Sequence, residues 1–401
     1  MDINFDEFPP PTTIDFTPEQ VAIKEGVLKI CAQFPDSYWL DKDNKHEFPH
    51  EFSKAIADSG YIGVVMPEEY GGAGLGFTEA ALMMQTISES GGCQAAASAV
   101  HMNIFSPGAI LKFGTKEQKE RWIPRLISLE DRTCFGVTEP GAGIDTTRAK
   151  LKAEWDPERQ RYIVSGQKIW TSTAQVSNKV LLLARTTAIE KCKRPVDGLS
   201  LFYTDLDRRY ADVREIAKMG RAAVDSNEVF YDGMPVPKED LIGEEGKGFY
   251  YLLDSINPER ILVAANAVGM GRAGIRRAVA YAKEREVFGR PIGKNQAVQH
   301  PLAEAWCRLE AANLMTFRAA NLYDQGRNCA AECNAAKWLA TEAGFDACQT
   351  AILTHGGMGY AKEFHVERYF REVQILRIGP IPQPLVLSYI AERVLGLAKS
   401  Y

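Results

Sequence analysis

Nowhere do the 401 residues stay apolar for the roughly 18 positions needed to cross a bilayer, which excludes membrane insertion. A basic surplus is lacking too: 47 Lys and Arg stand against 52 Asp and Glu, for a net charge of -5. No basic run is interleaved with aromatics, so nucleic acid is not an expected partner. The eight cysteines include no CxxC pair. Cys329 and Cys333, one helical turn apart in an alanine-rich segment, read as reduced core thiols rather than a disulfide or a metal pair. The histidines, His300 and His355 among them, show no ligand spacing, and no metal is expected. Residues 1–16 are acidic and proline-rich, without the basic n-region of a secretory signal or the arginine-rich pattern of a transit peptide, so a cytoplasmic protein is expected. Repeats and low-complexity linkers are missing as well.

What is present is an ordinary globular composition, 45% hydrophobic and 25% charged. The chain is long enough for several domains or one large layered enzyme. From residue 17 to about 129, apolar residues recur at three- and four-residue steps, as at Ala55, Ile56, Ala80, Met84, Leu111 and Phe113, and predict helices. Pro67-Glu-Glu-Tyr-Gly-Gly-Ala-Gly-Leu-Gly76 and Ser106-Pro107-Gly108 interrupt them as turns. From about residue 134 to 237 the period drops to two, in Tyr162-Ile-Val, Val180-Leu-Leu-Leu-Ala184, Leu199-Ser-Leu-Phe-Tyr203 and Val229-Phe-Tyr231, which predicts short strands. After Gly246 the helical period returns through residues 260–286, 297–323 and 331–349. The expected domains are therefore 1–131 helical, 132–240 β and 241–401 helical. Helical blocks around a β block argue for one composite enzyme that can clamp an elongated, flat cofactor between its layers.

Gly269-Met-Gly-Arg-Ala-Gly274 satisfies the G-x-G-x-x-G pattern of dinucleotide folds, which requires a strand before it and a helix after it. Here it lies inside a helical-period segment, so its small residues are expected to let two helices approach closely.

Several segments carry chemistry. Cys134-Phe-Gly-Val-Thr-Glu-Pro-Gly-Ala-Gly-Ile-Asp145 reads as a strand entering a loop whose main-chain N–H groups can face phosphate or a flavin edge. Then come Gly166-Gln-Lys-Ile-Trp-Thr-Ser172, Lys218-Met-Gly, Leu241-Ile-Gly-Glu-Glu-Gly-Lys-Gly-Phe249, Arg285-Glu-Val-Phe-Gly-Arg-Pro-Ile-Gly-Lys-Asn-Gln296, His355-Gly-Gly-Met-Gly-Tyr360 and Arg371-Glu372. In this order and at these spacings, across nearly the whole chain, they resemble the acyl-CoA dehydrogenase family. The resemblance implies an N-terminal helical domain, a middle β-barrel-like domain and a C-terminal four-helix bundle. It also implies FAD held between them, usually in a homotetramer, with an acyl-CoA as substrate and an electron-transferring flavoprotein as electron acceptor.

Carried over by position, Phe135, Val137, Thr138, Gly143 and Ile144 would lie against the flavin, Trp170 and Thr171 would flank it, and Ser172 would hydrogen-bond near flavin N5. A donor there stabilises the reduced flavin, and an aromatic wall keeps water out. Arg285, Phe288, Gln296, Leu353, Gly356 and Gly357 resemble the residues that reach the cofactor of a neighbouring subunit; arginine suits pyrophosphate and glycine lets main chain approach it. Ile144, Asn257, Arg260 and Gly379 fall at positions expected to face the substrate. Ile144 and Leu353 stand where the family often has serine and glutamine.

Removing a proton α to a thioester carbonyl needs a carboxylate beside that carbon. In many family members it is a glutamate shortly after the Arg371 position, but counting without gaps from Gly356 places Pro380 there. A second group, typified by the isovaleryl and long-chain enzymes, carries the base on a C-terminal helix just before an arginine. Asn257-Pro-Glu-Arg occupies that place, and Glu259 is the expected base. The alternative is a structural first-turn glutamate, with Asn257 as N-cap and Pro258 as first helical residue. Pro380 also lacks the main-chain N–H that would bind the thioester oxygen, so a donor such as Ile381 or Gly379 is needed. His101 could reach the acyl pocket, although a packed or exposed histidine is the ordinary expectation. Two further readings stand beside α,β-dehydrogenation: a flavin oxidase or monooxygenase on the same scaffold, and an acyl-CoA-binding homologue without turnover.

Overall fold

The computed structural model describes residues 14–400, so most of the acidic stretch read for targeting, residues 1–13, lies outside the described residues. Before the first strand come α1 (Pro18–Cys31), α2 (Asp36–Lys45), α3 (His50–Asp58), α4 (Phe77–Ile87), α5 (Cys93–Phe105), α6 (Pro107–Phe113) and α7 (Lys116–Ile127). Helices α1 and α7 begin the same way: Thr17 and Thr115 accept from the main chain of Gln20 and Gln118, whose amides reach back, so each start is closed by a capping box.

The strands are β1 (Thr133–Gly136), β2 (Lys152–Asp156), β3 (Arg161–Ser172), β4 (Lys179–Arg185), β5 (Leu199–Asp205), β6 (Ala211–Glu215), β7 (Ser226–Pro237) and β8 (Leu241–Ile242). Their order is β6-β7-β3-β2-β4-β5-β8, with β1 parallel to β4. Tyr162 on β3 reaches Phe202 on β5 with ring centroids 5.0 Å apart. Strands spaced about 4.8 Å apart would hold these backbones about 14 Å apart in a flat sheet, so the sheet wraps around its own core. Successive side chains of a strand point to opposite faces, and the continuous apolar runs of β4 and β5 bury both. Val180, Leu182 and Phe202 point into the sheet's interior. Leu181, Leu183, Leu201 and Tyr203 pack against the first helical block, where Trp122 meets Tyr203 at 4.9 Å.

The last block contains α8 (Gly248–Asp254), α9 (Ile256–Glu284), the hairpin β9 (Glu286–Val287) and β10 (Arg290–Pro291), α10 (Gln296–Asp324), α11 (Ala330–His355), α12 (Val366–Ile378) and α13 (Gln383–Tyr389). Helices α9 to α12 form the bundle, and α9 is its buried axis. The G-x-G-x-x-G stretch lies in the middle of α9. A Cβ on Gly269 would stand 2.4 Å from the Gln85 carbonyl oxygen, and one on Gly271 2.5 Å from a Leu309 methyl, so these glycines let α4 and α10 close onto α9. One local expectation needs correction. Helix α9 starts at Ile256 with Ser255 before it, so Asn257 is not an N-cap and Pro258 is not the first helical residue. Pro258 is tolerated because first-turn N–H groups have no intrahelical partner, and the Asn257 side chain turns to accept from Arg260 at 3.0 Å.

Candidate active site

Glu259 lies in the first turns of α9 with only 5% of its surface exposed. Its Oε2 atom is 2.6 Å from Nε2 of His101 on α5, itself 5% exposed. A carboxylate only accepts, so Nε2 carries the proton in this pair. His101 Nδ1 is buried without a protein partner. The His101 ring stacks on Phe105 at 6.0 Å, and Phe105 meets Phe135 of β1 at 5.6 Å. The candidate base is thereby linked through two rings to the strand that leads into the expected flavin loop. Asn103, between them on α5, fixes that strand: its amide donates to Leu126 and Asp131, and its oxygen accepts from Thr133.

The loop after β1 is held from behind by a buried ion pair. Lys168 Nζ donates to Glu139 at 2.8 Å and to the Val137 carbonyl at 3.0 Å, and Glu139 also accepts from the main chain of Lys150 and Leu151. Burial brings the Lys168 amine down to about 8 despite the Glu139 charge. This anchoring keeps Thr138 against β3, where its carbonyl accepts from Ile169.

At the end of β3 the pairing with β7 slips between Lys168 and Thr171. This bulge puts Trp170 in the left-handed region at φ 61 and turns its ring outward, 54% exposed. A bulky residue is uncommon in that conformation and is held there by the bulge. In the loop after β1, Ile144 is 60% exposed, and a Cβ on Gly143 would meet nothing within 4 Å. Thr171 Oγ1 is buried without a partner. The Ser172 hydroxyl accepts from Arg221 at 2.9 Å and so keeps its own proton to donate. An outward aromatic wall, open main chain and the Ser172 hydroxyl are what a flavin ring requires, and these residues fit FAD; Thr171, fully buried, turns its hydroxyl inward rather than toward the open face.

Helix α5 joins the two halves of this region. Ser98 and His101, three apart and therefore on one face, touch Arg221 beside Ser172 and Glu259 respectively. The remaining expected residues gather elsewhere. Arg285 ends α9, and the 26-residue separation from Glu259 places it about 39 Å away along the helix. Near it Tyr281 stacks on His355 at 4.4 Å, which brings Gly356, Gly357 and Leu353 to the same end of the bundle as Phe288 and Gln296. Phe288 is 101% exposed and Leu353 71%.

Four residues of the region carried no expected role: Lys168, Glu139, Arg221 and Asn103. The sequence held a signal for one of them. Lys168 shares strand parity with the inward Tyr162 and Val164.

Known proteins similar to this chain match it along nearly its whole length. The chain matches the acyl-CoA dehydrogenase N-terminal domain over residues 17–130, the middle domain over 134–234 and the C-terminal domain over 246–395. It is 35% identical over 396 residues to acyl-CoA dehydrogenase fadE12 of Mycobacterium bovis, covering 96% of this chain and 97% of that one. Butyryl-CoA dehydrogenase from Megasphaera elsdenii superposes with a TM-score of 0.90 at 25% identity, over 96% of this chain and all of that one. A glutaryl-coenzyme A dehydrogenase in complex with glutaryl-CoA does so with a TM-score of 0.90 at 28% identity, over 97% and 98% of the two chains. The chain belongs to the acyl-CoA dehydrogenase family, FAD-dependent oxidoreductases that act on CH–CH bonds. No described helix is long and apolar enough to cross a membrane.

Proposed function

We propose that this protein oxidises an acyl-CoA thioester to its trans-2-enoyl thioester, with Glu259 as the base that removes the α-proton. The observation that carries this reading is the buried Glu259 carboxylate, bound to His101 and joined through α5 to the Ser172 region. A carboxylate in that setting is held in one orientation and shielded from water, as proton abstraction requires. FAD, when bound, supplies the two-electron acceptor for the β-hydride. Trp170 and Ile144 form the apolar wall beside it, and Thr138 and Ser172 offer hydrogen bonds at its edge.

The thioester oxygen needs donors that do not come from Pro380. The Gly379 N–H is committed to the Ile375 carbonyl at 2.8 Å, where it closes α12, so it does not serve. The Ile381 N–H is the remaining main-chain donor of the segment. Arg260 lies next to Glu259 with its Nε buried and unpartnered, and it supports the acyl site together with Asn257.

The exposed cluster of Arg285, Phe288, Gln296, Leu353, Gly356 and Gly357 is assigned to the FAD of a neighbouring subunit in a homotetramer. Its distance from Glu259 and the full exposure of Phe288 support that assignment. Electrons leave to an electron-transferring flavoprotein, and the protein acts in the cytoplasm. The test is anaerobic bleaching of the bound flavin by a panel of straight and branched acyl-CoAs. Wild type bleaches with at least one member and Glu259→Gln does not; equal bleaching by the two proteins removes Glu259 as the base.

A further inference from the structure

Arg221 is 8% exposed and sits at φ 58, outside any helix or strand. Its guanidinium bonds three hydroxyls: Ser98 at 3.2 Å, Ser172 at 2.9 Å and Ser226 at 2.8 Å. Its Nε is buried without a partner among the described residues. The carboxylates whose charges reach it, Asp225 and Glu372, are bonded elsewhere. Asp225 accepts from Gln175 and Asn227, and Glu372 accepts from the Ala95 main chain and Arg368. A buried cation bonded only to neutral hydroxyls, with the Asp225 and Glu372 charges acting on it from a distance, is incompletely compensated until further negative charge is placed near it at some stage of function.

The geometry of Ser172 says where that charge arises. A hydroxyl that accepts from a guanidinium has its own hydrogen directed to another acceptor, and Ser172 stands at the end of β3 beside the outward Trp170. We infer that Arg221 is a positioning residue for the flavin: it orients the Ser172 hydroxyl toward the ring and, as a buried positive charge behind it, favours the reduced, anionic flavin. Charges close to the ring are a principal means by which a protein tunes a flavin. This inference rests on the proposed placement of Ser172 at the flavin.

The test is the midpoint potential and FAD content of the holoenzyme. Arg221→Met is expected to lower the reduced-to-oxidised ratio at fixed potential by about tenfold, ~30 mV for a two-electron couple. Arg221→Lys, which keeps the charge but not the fork of donors, shifts it less. Ser172→Ala is expected to shift the potential in the wild-type background and to have little further effect beside Arg221→Lys. An unchanged potential in FAD-loaded Arg221→Met overturns the inference. If that variant does not retain FAD, an equal effect of Ser172→Ala with and without Arg221→Lys overturns it instead. Failure of the underlying placement looks different: Ser172→Ala alone then leaves potential and FAD content at wild-type values.

Discussion

His101 Nε2 and Glu259 Oε2 meet at 2.6 Å, joining the first helical block to the bundle through two residues 158 positions apart. Among the described residues neither is bonded to Lys or Arg, so the carboxylate is oriented by the His101 Nε2–H. Replacing Glu259 with Gln keeps the size of the side chain and much of its hydrogen bonding but removes the proton acceptor. Flavin reduction by acyl-CoA is expected to slow by about 10² to 10⁴-fold, the usual contribution of a positioned general base. FAD content should remain at wild-type level. Stopped-flow bleaching under anaerobic conditions measures this, and a rate within twofold of wild type contradicts it.

His101→Leu leaves a buried carboxylate without its donor, whereas His101→Gln offers an amide N–H in its place. The leucine variant is expected to lose about 1 to 3 kcal/mol of stability, the cost of an unsatisfied buried polar group, and more if the carboxylate stays charged. It should also bleach slowly because Glu259 loses its orientation. The glutamine variant should recover part of both. Denaturant unfolding and bleaching rates, measured on the same preparations, report the two effects. A leucine variant as stable and as fast as wild type shows that the pair contributes nothing.

Much of the fold was legible because it rests on local periods. The alternation in Val180-Leu-Leu-Leu-Ala184 and Leu199-Ser-Leu-Phe-Tyr203 marked strands, and the alanine-rich helical period marked α9, α10 and α11. The short strands β2 and β6 were not read, since Lys152–Asp156 and Ala211–Glu215 are five residues long, rich in charge, and each carries a single aromatic or β-branched residue. Within the site, the Glu259 position could be read because its neighbours Asn257, Pro258 and Arg260 form a motif. Its partner could not: His101 sits in an alanine-rich helix, and nothing within a turn of it signals a carboxylate. Arg221 was hidden for the same reason, its serine partners being 123, 49 and 5 positions away.

Lys168 holds the loop after β1, proposed to face the flavin, through charge. Lys168→Met is expected to strand the Glu139 carboxylate in a buried site, at a cost of about 3 to 5 kcal/mol. The loop from Val137 to Ala142 then loses its anchor, and FAD should be released on desalting where wild type retains it. Absorbance at the flavin band after gel filtration, together with thermal unfolding, gives both readouts. Full retention of FAD with wild-type stability rules out this anchoring role.

Phe288 offers a test of the assembly. An aromatic ring held fully exposed on the β9–β10 hairpin gains nothing in a lone chain, whereas packing it between subunits recovers about 1.5 to 3 kcal/mol per site. On the proposed homotetramer, Phe288→Ser is expected to shift the assembly toward smaller species in sedimentation velocity and to reduce FAD content through loss of the proposed cross-subunit contacts. A variant that sediments as wild type and keeps its FAD removes Phe288 from the interface.

Lys337 on α11 is fully buried, and its Nζ has no hydrogen-bond partner among the described residues. Burial, reinforced by the Arg260 and Arg377 charges and opposed by Glu342, brings its amine from 10.5 down to about 8. The charged form is therefore disfavoured in the folded state by about 3 kcal/mol. At pH 7 the amine is protonated in both states, and the folded protein carries that cost in full. As pH rises from about 8 to 10.5 the folded state releases the proton before the unfolded state does, so the cost is progressively relieved and stability gains. Lys337→Met, of similar length and without charge, is expected to raise the unfolding temperature at pH 7. Its advantage should shrink across the window from about 8 to 10.5. Unfolding curves for the two proteins at a series of pH values decide the matter, and a methionine variant that is less stable at pH 7 by a pH-independent margin would show that the buried amine has a stabilising partner.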